Sequence, residues 1–316
     1  MSRLVQCLLV VAAATTTAFF LLHLAPGDPF STLDGKIGFT DAMRAELRRQ
    51  YGYGEPLHEQ FLLWVTNAAK GKLGWSHSQQ QPVEEALLLA LPKTLLLMGL
   101  AFVASLLLGV VLGAWQGARA GSRRDRTVSA LTLGMYSVPE FVLAIGLLLL
   151  FVSALHWLPA SGMTDPMHDY MPFADRIIDR VRHLVLPTVA LTVVSAGVFA
   201  RFQRAAMRDS MGEPFVRTAR AKGLSEGAVR RHALRASLLP VITLAGLLFP
   251  TLLGGAVLVE KVFNWPGMGS LLFEGAGERD YWLVTGAVVV GSTMTALGTL
   301  LADVARALVD PRVSGA

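Results

Sequence analysis

The 316-residue sequence is poor in charge: only 16% of its residues are Asp, Glu, Lys or Arg, against about 25% in a soluble domain. It has a single cysteine, Cys7, within an apolar run, which excludes an internal disulfide and a cysteine-rich metal site. It has no GxxxxGK[ST] phosphate loop. The nearest candidate, GSRRDRT, lacks the second glycine and the lysine, so the chain is not expected to hydrolyse ATP itself. The seven histidines (His23, His58, His77, His156, His168, His183 and His232) show no HxxxH or CxxC-like spacing, which leaves a metal site in this chain without support, though His77 and His168 could still meet in space.

What is present is apolar sequence in long blocks. Hydrophobic residues make up 53% of the chain and the mean hydropathy is +0.49. About 20 mostly apolar residues cross a bilayer as a helix. Six stretches qualify: 4–24, 94–115, 128–155, 183–202, 238–259 and 282–301. The expected fold is all-α and polytopic, with six transmembrane helices. The first stretch follows Arg3 and is too long for a typical secretory leader, so it reads as a retained anchor.

The charge balance is +5, and its distribution gives the orientation. With the N-terminus inside, the inner segments hold 16 cations and six acids, and the outer ones 12 and 16. Lys and Arg concentrate on the cytoplasmic side of membrane proteins, so both termini are expected to be cytoplasmic. This distribution also removes the nucleic-acid reading of the basic charge, since no nucleic-acid motif accompanies it. Trp157, Trp265, Tyr281 and Trp282 lie near span ends and read as interface anchors.

The first external loop runs from Ala25 to Lys93. It opens with APGDP, continues with a short helix in TDAMRAELRRQYG and a second from Pro56 to Ala69, and closes with an amphipathic run starting at Pro82. The chain divides on this reading into 1–93, an anchor helix plus external loop, and 94–309, the main membrane domain, which contains an internal loop at 203–237.

Within the spans, Glu140 is an acid placed well inside apolar sequence, directly after Pro139. A carboxylate at a bilayer centre costs about 2.5–3.5 kcal/mol on insertion scales, so Glu140 must face protein or water. Either it lines a path, together with Tyr136 and Pro139, or it makes a structural hydrogen bond to a neighbouring helix. Gly109, Gly113 and Gly117 recur every four residues, the spacing that lets two helices approach closely. Pro139, Pro187, Pro240 and Pro250 are expected to kink spans or mark their ends.

The most basic internal segment holds six cations between Arg217 and Arg235. A helix is expected to start near Asp209 or Ser210, and Pro214, directly after Glu213, suits a first helical position. Phe215, Val216, Ala219 and Leu224 supply apolar and small groups; Arg217, Arg220 and Lys222 supply charge; Thr218 and Ala221 lie between them. Gly223 suits a helix end, and Ser225 caps the next helix, with Glu226 in its first turn. Composition alone permits a loop whose charges only set topology.

The motifs go further. ARAKGLS followed by HALRASLLP resembles the cytoplasmic EAA loop of ABC importer permeases, and more narrowly the dipeptide, oligopeptide and nickel permease family. APGDP, EPLHEQFLLW, SVPEF, WLPASG, FNWPGMGSLLFE, RDY and the final DPR resemble the same family in the same order. The resemblance covers nearly the whole chain and is nearer to the first permease of the pair. It implies a type I ABC importer permease fold in a bacterial cytoplasmic (inner) membrane. Residues Glu213 to Ser225 would form the helix that docks on a cytoplasmic ATPase, although Arg217 and Thr218 stand where the general pattern has Glu and Ala. It implies a second, homologous permease, two ATPase subunits carrying ATP and Mg, and an external binding protein that delivers peptides or, alternatively, nickel or a metal chelate. Two rival readings are a secondary transporter, for which no acid pairs or repeats appear, and a membrane enzyme, for which Asp165, His168 and Asp169 are the densest polar group.

Overall fold

A computed structural model describes residues 3–24, 55–252 and 257–309, with side-chain surroundings throughout except at 251–252 and 305–309. The APGDP turn, the expected TDAMRAELRRQYG helix and the terminal DPR lie outside the described residues. The architecture is all-α. Its elements are α1 (Arg3–Leu24), α2 (Leu57–Ala68), a two-residue antiparallel ladder of β1 (Trp75–Ser76) and β2 (Gln81–Pro82), α3 (Val83–Gly117), α4 (Arg123–Ser137), α5 (Glu140–Leu147), α6 (Phe173–Gly212), α7 (Pro214–Ala221), α8 (Glu226–Leu252), α9 (Val257–Val262), α10 (Met268–Gly277) and α11 (Tyr281–Val309).

Among the described residues, five helices are long and apolar enough to span a membrane: α1, α3, α6, α8 and α11. The expected third span is not one rod. Its two halves meet at a bend of 99°. The cause is local: Pro139 disfavours helical backbone at the residue before it, and both Val138 (ψ 127°) and Pro139 (ψ 138°) are extended. Beyond Leu147 the second half widens into a π-helical stretch, Leu148–Ala154. Counting this pair as one broken span gives six.

The other prolines expected to kink spans or mark their ends lie within helices. Pro187 lies inside α6, and Pro240 and Pro250 inside α8, with the helix continuing past each. Pro92 is likewise inside α3, so the amphipathic run after Pro82 and the following span form one helix of 35 residues. A proline removes one intrahelical bond, yet the helix runs on past each of them, whether the proline is buried, as Pro187 is, or exposed, as Pro92 and Pro240 are. Of the expected fifth span, the described residues form α8 to Leu252 and α9 from Val257 to Val262.

The chain forms two compact units. The first contains residues 1–95, 253–257 and 266–300. Its core gathers Phe19, Trp64, Val83, Leu87, Trp282 and Leu283. Trp282 and Tyr281, expected at the lipid interface, are 5% and 3% exposed. Trp282 packs where the missing side chain of Gly74 leaves room, a Cβ there falling 3.0 Å from it. Asp280, fully buried, anchors the β1–β2 hairpin to the start of α11: it accepts from Ser76 Oγ at 2.6 Å, Ser78 Oγ at 2.8 Å, Ser78 N at 3.0 Å and Leu283 N at 3.1 Å. The RDY motif is thus a structural clasp.

The second unit contains residues 96–252, 258–265 and 301–316. Phe199 of α6 meets Val241 and Ala245 of α8 in one cluster, with Phe102 and Val110 of α3 against it. Gly109, Gly113 and Gly117 all face α6. A Cβ at Gly109 would strike Phe199, one at Gly113 the Ala200 carbonyl, and one at Gly117 would lie 2.6 Å from Met207 Cβ. The stripe therefore packs against a helix of its own chain. Trp265 is fully buried, which removes its interface-anchor role, whereas Trp157 is 60% exposed. The neighbouring backbone joins the WLPASG and FNW motifs, Gly162 N donating to Phe263 O at 2.8 Å.

Candidate functional site

The basic internal segment is a helix, a glycine break and a second helix. α6 continues to Gly212, so no new helix starts at Asp209 or Ser210. Glu213 turns the chain with extended backbone, and Pro214 is the first residue of α7, where its missing N–H is no loss. At the other end Gly223 has φ +75°. Leu224 N donates to Ala219 O at 3.2 Å and Gly223 N to Arg220 O at 2.9 Å, the paired bonds of a Schellman stop. Ser225 then caps α8, accepting from Ala228 N at 3.4 Å.

The helical period sorts the side chains of α7. Val216 and Ala219, three apart, are buried against Met207 of α6 and Val229 and Ala233 of α8. Ala219, one of the small groups of this segment, fills the chain's own core. Phe215, Arg217, Thr218, Arg220, Ala221, Lys222 and Leu224 are exposed, Phe215 and Leu224 each at 41%. Arg220 closes over the break, its Nε 2.9 Å from Glu226 Oε1. That hydrogen bond chiefly holds the Glu226 carboxyl below its ordinary value; both groups are open to solvent, so the pair contributes little to stability.

The helix feeding α7 is clamped about three turns deeper. Gln203 Nε2 donates to Ser237 Oγ of α8 at 2.7 Å. Arg204 donates to Asp125 of α4 through Nε at 2.7 Å and Nη2 at 2.8 Å. Asp125 is fully buried and also accepts from Gly121 N at 2.9 Å. It precedes the apolar stretch that starts at Val128. The Arg204 hydrogen bonds above all hold its carboxyl down at about 2. Sequence reading missed this acid; its position three residues past a cap-forming Ser in GSRRDRT was the available signal. The acid now emerges as the brace of the internal loop.

Beside this brace lies a cavity of about 590 Å³ in the second unit, bounded by α3, α4 and α6. Tyr136, expected on a path, lines it; Pro139 and Glu140 do not. Glu140 begins α5 immediately after the bend and is half-buried. Among the described residues no side chain pairs with it, so the structural hydrogen bond to a neighbouring helix is not found there.

The polar residues before and within the start of α6 also assemble differently from expectation. His168 Nδ1 lies 2.7 Å from Asp179 Oδ2, and His183 Nδ1 3.1 Å from Asp179 Oδ1. Asp165 N donates to the same carboxylate at 3.0 Å. His77 goes to a different acid, 3.7 Å from Asp280. The buried Asp179 thus serves as a latch for the loop before α6, and Asp169 takes no part through its carboxylate.

Comparison with known proteins agrees with this layout. Residues 105–315 match the family described as "Binding-protein-dependent transport system inner membrane component". The oligopeptide transport system permease protein AppB of Bacillus subtilis (strain 168) is 33% identical over 98% of this chain and 97% of its own length. The di/tripeptide transport system permease protein DppB of Pseudomonas aeruginosa (strain UCBPP-PA14) is 36% identical over 95% and 93%. The dipeptide transport system permease protein DppB of Escherichia coli (strain K12) is 34% identical over the same shares. With two thirds of the sequence inside the family match and relatives aligned nearly end to end, this chain belongs to the inner-membrane permease family of binding-protein-dependent transport systems.

Proposed function

We propose that this chain forms half of the translocation path of an ATP-driven importer of short peptides in a bacterial cytoplasmic membrane. The relatives named above are oligopeptide, di/tripeptide or dipeptide permeases, which favours peptides and leaves the nickel alternative with nothing to carry it. A second, homologous permease completes the path, and an external binding protein delivers cargo. Two cytoplasmic ATPases supply energy from ATP and Mg, which act in those subunits.

The observation that carries the reading is α7. It is a short helix joined to the ends of two spans, with Val216 and Ala219 locked into its own protein and Phe215, Arg217 and Arg220 turned outward. A displacement of such a helix passes directly to α6 and α8, which Gln203 and Ser237 join to each other about three turns away, where Arg204 also ties α6 to α4. In the proposed cycle, ATP-driven closure of the ATPases moves α7 and turns the path outward; hydrolysis and release turn it back. That Glu140 has no side-chain partner among the described residues and adjoins the 99° bend supports a role for it on the path or against the second permease. Gly109, Gly113 and Gly117 keep α3 fixed to α6 during that motion.

The test is co-purification of the assembled transporter with Phe215→Asp, an exposed change that leaves the Val216 and Ala219 packing alone. The variant is expected to retain the second permease and lose the ATPases. Retention of the ATPases at wild-type stoichiometry would reject α7 as their docking site.

A further inference from the structure

The cavity beside Arg204 contains two arginines in different chemical states. Arg204 is spent: its guanidinium is matched by both oxygens of the buried Asp125. Arg201 lies three residues earlier on α6, one turn back, and also lines the cavity. No acid among the described residues pairs with it. The hydroxyl and amide groups around it divide the same way. Thr132 donates to its own helix, to Val128 O at 3.0 Å. Gln116 donates to Ser129 at 3.4 Å, and Ser129 to Asp125 at 3.5 Å. The Tyr136 hydroxyl, on a residue 52% exposed, is uncommitted. Two donors are therefore left over, a guanidinium and a phenol.

A cavity of about 590 Å³ lies within the roughly 300–1,000 Å³ range of small-molecule sites. Its net character is cationic and donor-rich, and it has no acid among its lining residues. A guanidinium suits a carboxylate because its planar fork binds both oxygens. Resting on the importer reading above, we propose that this cavity is a transit site for the free C-terminal carboxylate of a peptide, held by Arg201 with Tyr136 as second donor. Anionic lipid headgroups share the chemistry that Arg201 recognises, so the test separates the two sources.

The test is made on the complete transporter, reconstituted with its co-purifying subunits and binding protein in phosphatidylcholine vesicles with and without phosphatidylglycerol. Entry of trialanine is compared with entry of trialanine amide. The binding protein is the same in every arm, so its own preference cancels in the comparison with wild type. R201Q should lower the acid-to-amide entry ratio about tenfold, the loss expected for one charge-assisted contact. R201K should keep most of the ratio, and Y136F should reduce it about threefold. Stimulated ATP hydrolysis should stay within about twofold of wild type, since Arg201 is outside the α7 packing.

An unchanged ratio in R201Q, an equal fall for acid and amide, or an effect confined to phosphatidylglycerol vesicles overturns the site. If R201Q fails to assemble, R201K and Y136F decide: a Y136F ratio equal to wild type also overturns it. Failure of the wild-type complex to move either peptide while it hydrolyses ATP defeats the importer reading instead, and it shows in wild type, not in the variants.

Discussion

Arg204 of α6 grips Asp125 of α4 through two hydrogen bonds, at 2.7 and 2.8 Å. The carboxylate is fully buried and the guanidinium 31% exposed. Removing one member leaves the other uncompensated, which is the expensive way to break such a pair. Asp125→Ala and Arg204→Ala should each destabilise the detergent-solubilised protein by about 2–4 kcal/mol. The double variant should be well short of their sum, as read from thermal unfolding in a double-mutant cycle. With its carboxyl held at about 2, Asp125 stays charged across every pH at which transport can be assayed, so the brace is not a pH switch. Additive single effects would contradict the pairing.

The glycine stripe gives a steric prediction with an internal control. A Cβ at Gly113 would meet Ala200 O and lie 2.7 Å from Gln203 Cβ and 2.9 Å from Arg204 N. Two of those are backbone atoms, which cannot swing aside. Gly113→Ala should lower stability by about 1–3 kcal/mol. At Gly99, earlier on the same helix, a Cβ would find no neighbour within 4 Å, and Gly99→Ala should be neutral or slightly stabilising. The check is thermal inactivation of the purified chain; equal effects at both positions would contradict the α3–α6 packing.

The stop after α7 depends on backbone sign. Gly223 sits at φ +75° with open space around it, so a side chain meets no clash, only the unfavourable conformation. Gly223→Ala should cost about 1 kcal/mol and loosen the α7–α8 joint. Peptide-stimulated ATP hydrolysis should fall before assembly does. Gly227→Ala, inside α8 with no neighbour within 4 Å, should leave coupling intact and add up to about 1 kcal/mol of stability.

Asp280 carries four hydrogen bonds that join the β1–β2 hairpin to α11. Asp280→Ala strands buried donors, each worth about 1–3 kcal/mol of desolvation. It should yield a chain prone to proteolysis within residues 70–82 in limited-digestion assays, while Arg279→Ala should not. Equal digestion patterns would refute the clasp.

Much of this was legible in the sequence because span formation depends on apolar length, and the helix–glycine–helix at 213–225 depends on local rules: proline at a first turn, glycine where φ is positive. Less local features were not. The 99° bend at Val138–Pro139 and the unbroken passage through Pro187, Pro240 and Pro250 involve the same residue type, so the residue type alone does not decide between them. Trp265, Tyr281 and Trp282 sit near span ends as interface anchors do, yet they are buried, since position along the chain does not tell the lipid side from the core side. Asp125 counted as one more loop charge until α6 brought Arg204 to it.

The central claim is that α7 faces the cytoplasm and seats a nucleotide-hydrolysing partner. The most direct measurement places one cysteine on that face, Lys222→Cys in a Cys7→Ser chain, and treats it with a membrane-impermeant thiol reagent. The account predicts no labelling in intact cells, full labelling in inverted vesicles stripped of ATPases, and protection when the ATPases are restored. Labelling from the outside of intact cells, or labelling in inverted vesicles that the ATPases leave unchanged, would contradict it.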